Sequence, residues 1–180
     1  YARKNPGAIN YGSAGTGTGQ HLAGEVFQQV TGVKLTHVPY KGAGPAMTDL
    51  MSGQIDIMFD YVISSASKIE SKHIVPLAIM ADQRLGVVKD VPTTTEGGYP
   101  QAVSGSFDGV CVQSGTPEPV VAKLSTAIEE VLKDPSVAKR FEALGAFVMT
   151  DADHKKFPAL VNSEVVKMKG LVDRSGLKAQ

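Results

Sequence analysis

The sequence predicts an α/β fold whose sheet is mostly parallel and covered by helices. Short apolar or β-branched segments alternate with segments of helical periodicity over the first eighty or so residues. Glycine-rich turns join these short segments to the helices that follow them. Strand–helix alternation is typical of parallel sheets, because parallel strands need a crossover connection that is usually a helix. The 42% hydrophobic content is enough for a packed core.

The first half of the chain is predicted to hold four strands and three helices. Strands are expected at residues 8–11, 34–38, 55–59 and 74–80. The first helix is expected from Thr18 to Gly32, a glycine typical of helix C-termini. The second is expected to hold Pro45 in its first turn and to end at Gly53. The third is expected over residues 62–69.

The second half is predicted to be rich in helix. Residues 90–104 carry prolines and paired glycines, which indicate a linker or crossover. A strand is expected over 105–113, with Cys111 as an inert core thiol. Helices are expected from Pro117, from Asp134 to near Gly145, and over 151–174. Two strands or fewer do not form a stable sheet, so this half is expected to need strands from an absent N-terminal segment or another subunit.

Composition argues against several classes of protein. Lys and Arg total 18, as do Asp and Glu, so no electrostatic footprint for nucleic acid or an anionic membrane surface is present. No apolar run reaches the ~18 residues of a membrane span. A single cysteine excludes an internal disulfide framework and a cysteine-based zinc cluster. Residues 1–7 show no apolar signal-peptide region, and we expect that upstream material is missing.

The segment from Tyr11 to His21 alternates glycines with hydroxyl side chains between a predicted strand and a predicted helix. Amide hydrogens that converge at a helix N-terminus form a site for anions. A P-loop would need Lys where Thr18 stands, and a dinucleotide fingerprint would need Gly where Gln20 stands. Two interpretations stay open: an anion cradle whose amides point inward together, and a flexible loop without a ligand.

The loops that follow the next two predicted strands are further candidate ligand sites. Open α/β sheets bind ligands at the carboxyl ends of their strands, and both loops lie there. At the first, Tyr40 either contacts a ligand or packs, whereas Lys41 is expected to be solvated. At the second, Asp60 either caps the next helix, holds a ligand amine, or orients a loop or water.

Catalytic and metal-binding patterns are not found. Ser13 and Ser106 lack the G-x-S-x-G context of a nucleophile elbow. His21, one turn into its helix, is more typical of a capping or packing residue. The four histidines show no metal-ligand spacing: His21, His37, His73 and His154. The residues therefore give no support for catalysis, and we expect no metal and no cofactor.

Motifs along almost the whole chain resemble the Bug/TctC family of periplasmic solute-binding proteins, which serve tripartite tricarboxylate transporters. The first is Tyr-Gly-Ser-x-Gly-x-Gly-Thr-x-x-His-Leu-Ala-Gly-Glu at 11–25. The others are Val-Pro-Tyr-Lys-Gly at 38–42, Met-Phe-Asp at 58–60, Asp-Val-Pro-Thr at 90–93, Glu-Gly-Gly-Tyr-Pro at 96–100, Gly-Thr-Pro at 115–117 and Asp-Pro at 134–135.

The resemblance implies a type II-like Venus-flytrap fold, of which this chain is one complete α/β lobe plus the C-terminal part of the other. Residues 1–9 would come from the crossover of lobe 1, 10–98 would form lobe 2, and 99–180 would belong to lobe 1. It also implies no enzymatic activity and a periplasmic location, with membrane components of the transporter as partners. The ligand would be a small organic anion: a di- or tricarboxylate, an acidic amino acid or an aromatic acid.

The family's ligand loop maps onto Ser13, Gly15, Thr16, Gly17 and Thr18. The resemblance places His21 and Tyr40 as neighbours of the ligand and Asp60 as a group that contacts the ligand or water. Family members are longer than this chain, which departs from them at Ser106–Gly109, where Trp is common, and at Tyr61, where Asn is frequent. Two alternatives stay open: an incomplete fragment that acts as an oligomerising module, and an enzyme that binds phosphate or a nucleotide.

Overall fold

A computed structural model describes residues 1–149 and 156–175 of the chain. Its sheet has three parallel strands in the order β2-β1-β3, which are β1 (Asn10–Ser13), β2 (Thr36–Pro39) and β3 (Ile57–Met58). Tyr11 on the central strand pairs with His37 on one side and with Ile57 on the other. The predicted α/β class with a parallel sheet is therefore confirmed.

Three helices follow the three strands, as the sequence predicts. They are α1 (Gly19–Thr31), α2 (Ala43–Met51) and α3 (Val62–Glu70). The first begins after Thr18 and ends at Gly32, which adopts a φ of 70°. This left-handed conformation is the reason that glycine is favoured at a helix C-terminus.

The remaining helices are α4 (Glu118–Leu132), α5 (Pro135–Ala143) and α6 (Phe157–Ser175), and a short 3-10 turn lies at Gly86–Val88. Asp134 caps α5, because its carboxylate accepts the N–H of Ser136 at 2.8 Å. The predicted helices from Pro117 and Asp134 are confirmed, and α6 confirms the described part of the third. Residues 151–155 of that prediction, which include His154, lie outside the described residues.

Two small groups of buried side chains form the interior. Ala46 and Ile55 lie beside Gly12 on the α2 side of the sheet, whereas the ring of Tyr11 packs against Gly24 of α1, and all three side chains are 0 to 4% exposed. A second cluster contains Leu85, Val88 and Val91, which pack with Val62, Ile69 and Ile79. Helix α6 lies on α1, where the Gln29 side chain donates to the carbonyl of Leu171 at 3.2 Å. These contacts fix α1, and with it the loop that precedes it.

Two predicted strands are wrong. Over residues 74–80, only Ile79 forms a bridge, with Thr93, and Val75 and Leu77 are 80 and 71% exposed. Residues 105–113 form no strand, and Cys111 is exposed, so its assignment as a core thiol is also wrong. An apolar run becomes a strand only where another strand supplies hydrogen bonds, and apart from the bridge of Ile79 to Thr93 neither run pairs with a strand among the described residues.

Candidate functional site

Three loops meet at the carboxyl edge of the sheet. They follow β1, β2 and β3 and contain residues 14–18, 40–42 and 59–61. The Tyr40 N–H donates to the carbonyl of Ser13 at 3.0 Å, and the Gly42 N–H donates to that of Ala14 at 3.1 Å. The parallel order of the strands thus brings two of the predicted glycine-rich segments into direct contact.

Most amides of the loop at 14–18, hereafter the glycine loop, donate within the protein. The donor–acceptor pairs are Ala14 N–H to Gln20 Oε1 at 2.6 Å, Gly15 N–H to Ser13 Oγ at 3.1 Å, Gly17 N–H to His21 Nδ1 at 2.9 Å and Thr18 N–H to the Gly15 carbonyl at 3.3 Å. The expectation that the amides of this loop all point together at a guest is therefore wrong for these four.

Among the described residues, a smaller set of backbone amides has no acceptor within the protein and can donate to a ligand. Within residues 1–149 and 156–175, the N–H of Thr16 has no acceptor, and the first-turn amides of Gly19, Gln20 and His21 have none. The side chain of Thr18 leaves the helix uncapped because its hydroxyl donates to the Gly15 carbonyl at 2.7 Å. The positive end of the helix dipole adds to the attraction for an anion at this position.

Tyr61 lies against the start of α1. A Cβ atom at Gly19 would overlap the Tyr61 hydroxyl and lie 3.3 Å from Cζ of that ring. The side chain of Tyr61 is 43% exposed. The phenol ring of Tyr61 therefore lies next to the unpaired amides. Members of the family that the sequence resembles frequently have Asn at this position.

A cluster of aromatic and imidazole rings packs next to the glycine loop and holds it through hydrogen bonds. The rings of His21 and His37 stack with centroids 3.8 Å apart and planes 4° apart. His37 Nε2 lies 2.7 Å from Ser13 Oγ, and Tyr11 donates its hydroxyl hydrogen to Glu25 at 2.9 Å. Because His21 Nδ1 accepts the Gly17 N–H, this ring carries its hydrogen on Nε2, 3.8 Å from Glu25.

Burial favours the neutral form of both histidines in this cluster. Burial and, to a smaller extent, the neighbouring His21 together lower the pKa of His37 to about 4. Burial also lowers the pKa of His21, against the opposing effect of Glu25. Ser13 is 0% exposed and His37 is a weak base, so their contact holds the loop and does not form a nucleophile–base pair open to a substrate.

Two predicted ligand residues already have internal partners. Both carboxylate oxygens of Asp60 accept hydrogen bonds, Oδ1 from Gln20 at 2.5 Å and Oδ2 from Ser64 and Ser65 at 2.8 and 2.5 Å. Tyr40 donates its hydroxyl hydrogen to Asp49 at 2.7 Å. These side chains brace the loops around the site.

Sequence reasoning did not assign a role to Gln20 or His37. His37 could have been found from its position, because it is a polar residue on a strand predicted to pair with the buried Tyr11 segment. Gln20 carries no comparable signal, since a first-turn glutamine is usually solvated, yet it is only 4% exposed.

The described part of the chain carries neither a metal-binding nor a membrane-spanning arrangement. It contains no group of three His, Cys, Asp or Glu side chains placed to hold a metal ion. None of its helices combines the length and the apolar character needed to cross a membrane.

Comparison with known proteins identifies relatives of the whole chain. The profile described as "Tripartite tricarboxylate transporter family receptor" matches residues 1–177. A UPF0065 protein of Agrobacterium vitis, from the TAR-I ttuE-ttuC' intergenic region, is 39% identical over 143 residues, which are 79% of this chain and 41% of that protein. Protein BugT of Bordetella pertussis is 30% identical over 177 residues, or 98% of this chain and 54% of BugT. This chain thus spans about half the length of these relatives.

Solved structures share the fold. R. palustris Rpa4515 with adipate matches with a TM-score of 0.89 at 30% identity, covering 98% of this chain and 58% of that one. The periplasmic binding protein BugD matches at 0.87 and 34% identity, over 100% and 60%. MatC from Rhodopseudomonas palustris with bound malate matches at 0.81 and 32%, over 91% and 56%. The fold is therefore that of periplasmic binding proteins.

Proposed function

The chain belongs to the tripartite tricarboxylate transporter receptor family, TctC, and we propose that it captures a small organic carboxylate for the membrane components of such a transporter. The observation that carries this proposal is the set of unpaired amides at Thr16 and in the first turn of α1. We place the protein in the periplasm, because BugD, a relative of the same fold, is a periplasmic binding protein.

The chemistry of the site suits a carboxylate. Amide hydrogens at a helix N-terminus bind anions through hydrogen bonds and the helix dipole. The relatives Rpa4515 and MatC hold adipate and malate, both of which are dicarboxylates. Neutral donors also favour release, since breaking a buried ion pair leaves an uncompensated charge.

The eight predicted residues divide into two roles under this proposal. Thr16 offers its amide to the ligand, together with the first turn of α1. The others shape or brace the site through the hydrogen bonds described above: Ser13, Gly15, Gly17, Thr18, His21, Tyr40 and Asp60. His21 also offers its own first-turn amide to the ligand. No reaction is proposed, because the family and its structural relatives are solute-binding proteins.

We also propose the division into lobes that the resemblance implies, with residues 1–9 from a crossover, 10–98 as one lobe and 99–180 as part of the other. It is supported by the change in composition at residues 90–104. A ligand that contacts both lobes would favour their closed arrangement.

The test is a calorimetric titration of the protein with adipate, malate, citrate and benzoate. We expect at least one of these acids to bind, and we expect adipamide, which has adipate's chain length without its charge, not to bind. Failure of all four acids to bind would overturn the proposed function. Equal binding of adipate and adipamide would overturn the role of the anion site.

Exposed apolar side chains favour self-association as a second candidate role. On one face of α4, Val120, Leu124 and Ile128 are 47, 46 and 37% exposed. Contiguous exposed apolar surface usually marks an interaction site. Sedimentation analysis over a range of concentrations tests this role, and a monomer at all concentrations would exclude it.

A further inference from the structure

We propose that Gln20 is a positioning residue that ties the glycine loop to α3 and thereby sets which amides remain for the ligand. This inference rests on the proposed carboxylate site. The Gln20 side chain lies in the first turn of α1 and is 4% exposed. Its Oε1 accepts the Ala14 N–H at 2.6 Å, and its Nε2 donates to Asp60 at 2.5 Å.

The bridge requires an amide side chain. One end must accept a backbone hydrogen from Ala14, while the other must donate to the carboxylate of Asp60. Gln offers an acceptor and a donor on one planar group, whereas Glu offers acceptors only. A glutamate at position 20 would therefore keep the contact to Ala14 but set two carboxylates against each other.

Asp60 is the fixed end of this bridge. Its second oxygen accepts the hydroxyl hydrogens of Ser64 and Ser65, which lie in the first turns of α3. Among the residues that the structure describes, no cation pairs with this carboxylate, so three neutral donors hold it. Through Gln20, the start of α3 thus fixes the backbone of the glycine loop.

The consequence for the ligand is a pre-ordered site. With the Ala14 amide held inward by Gln20 and the Gly15 amide held by Ser13, the loop presents Thr16 and the start of α1. Ordering a loop before binding reduces the entropy that binding must overcome. Loss of the bridge should therefore weaken ligand binding directly, in addition to any change that it makes in the free energy of unfolding.

The same helix supplies a matched control. Gln28 also bridges a backbone amide and a carboxylate, because its Oε1 accepts the Leu35 N–H and its Nε2 donates to Glu25, both at 2.8 Å. It lies two turns further along α1, away from the glycine loop. Gln28→Glu makes the same chemical change and should reduce stability without speeding hydrogen exchange at Ala14, whose amide Gln20 still holds.

The experiment compares Gln20→Glu, Asp60→Asn, the double variant and Gln28→Glu with the wild type. The double variant exchanges the amide and the carboxylate between the two positions. An amide at position 60 can donate to the new carboxylate at position 20 and still accept from the two serines, so the repulsion of the single variant is removed. Three quantities are measured, namely adipate and malate affinity, the thermal unfolding midpoint, and hydrogen exchange of the Ala14 amide without ligand.

We expect Gln20→Glu to weaken binding about tenfold, roughly the entropy cost of ordering one further loop residue on binding, and to speed exchange at Ala14. The double variant should restore both. A fall in the unfolding midpoint with unchanged affinity, or a double variant no better than Gln20→Glu, would overturn the positioning role alone. A wild type that binds no carboxylate would overturn the proposed function, and this role with it.

Discussion

Replacing Gly24 by alanine tests the packing beneath the glycine loop. Gly24 is buried in α1 against the ring of Tyr11, and a Cβ atom there would lie 2.8 Å from Cζ and 3.1 Å from Cδ2 of that ring. Tyr11 cannot move aside easily. It is 0% exposed, its hydroxyl is bonded to Glu25, and the rings of His37 and Phe59 lie 4.8 and 5.6 Å away.

Two opposing effects set the size of the change. Alanine is favoured over glycine inside a helix by about 1 kcal/mol. Overpacking a filled core costs about 1–3 kcal/mol, and disturbing the hydrogen bond from Tyr11 to the Glu25 carboxylate adds about 1–2 kcal/mol. We therefore expect Gly24→Ala to lower the free energy of unfolding by about 2 kcal/mol, since the packing terms exceed the helix propensity.

Urea denaturation followed by far-UV circular dichroism measures this difference. Gly170→Ala in α6 is the matched control, because beyond its own helix backbone and chain neighbours its added Cβ would meet only the end of the flexible Arg174 side chain, at 3.3 Å. The control should be neutral or stabilising by up to about 1 kcal/mol. A Gly24→Ala variant as stable as the wild type would refute the close packing of α1 on Tyr11.

Three other predictions follow from single residues. The pKa of His37 is lowered to about 4 from 6.5, so the unfolded chain binds more protons between these values. The stability that depends on neutral His37 should be fully present above pH 6.5 and be lost as the pH falls toward 4. In a pH series of thermal unfolding, His37→Gln should therefore show a flatter dependence than the wild type, and equal slopes would contradict this. Cys111 is exposed and should react with a thiol reagent as fast in native buffer as in urea, and slow native labelling would contradict its placement. Gly145 has a φ of 76° and its Cβ would lie 2.9 Å from Val62. Gly145→Ala should therefore destabilise by about 1–3 kcal/mol in urea denaturation, and an unchanged midpoint would be inconsistent with that conformation.

The errors of sequence-based prediction have a common cause. The runs at 74–80 and 105–113 have the composition of strands, but a strand forms only where a neighbouring edge supplies hydrogen bonds. The chain places Val75 and Val110 in solvent, at 80 and 77% exposure. Composition reports what a segment can bury, whereas pairing depends on segments far away in the sequence.

Within the site, the sequence alone determined the position of the glycine loop and the bounds of α1. Both are local properties, because Thr18 and Gly32 define the helix through residues close in sequence. Only the tertiary structure decided which amides are left for a ligand. That choice depends on Gln20 and His21, whose side chains fold back over the loop, and on Asp60 and His37, which neighbouring strands bring to the same edge.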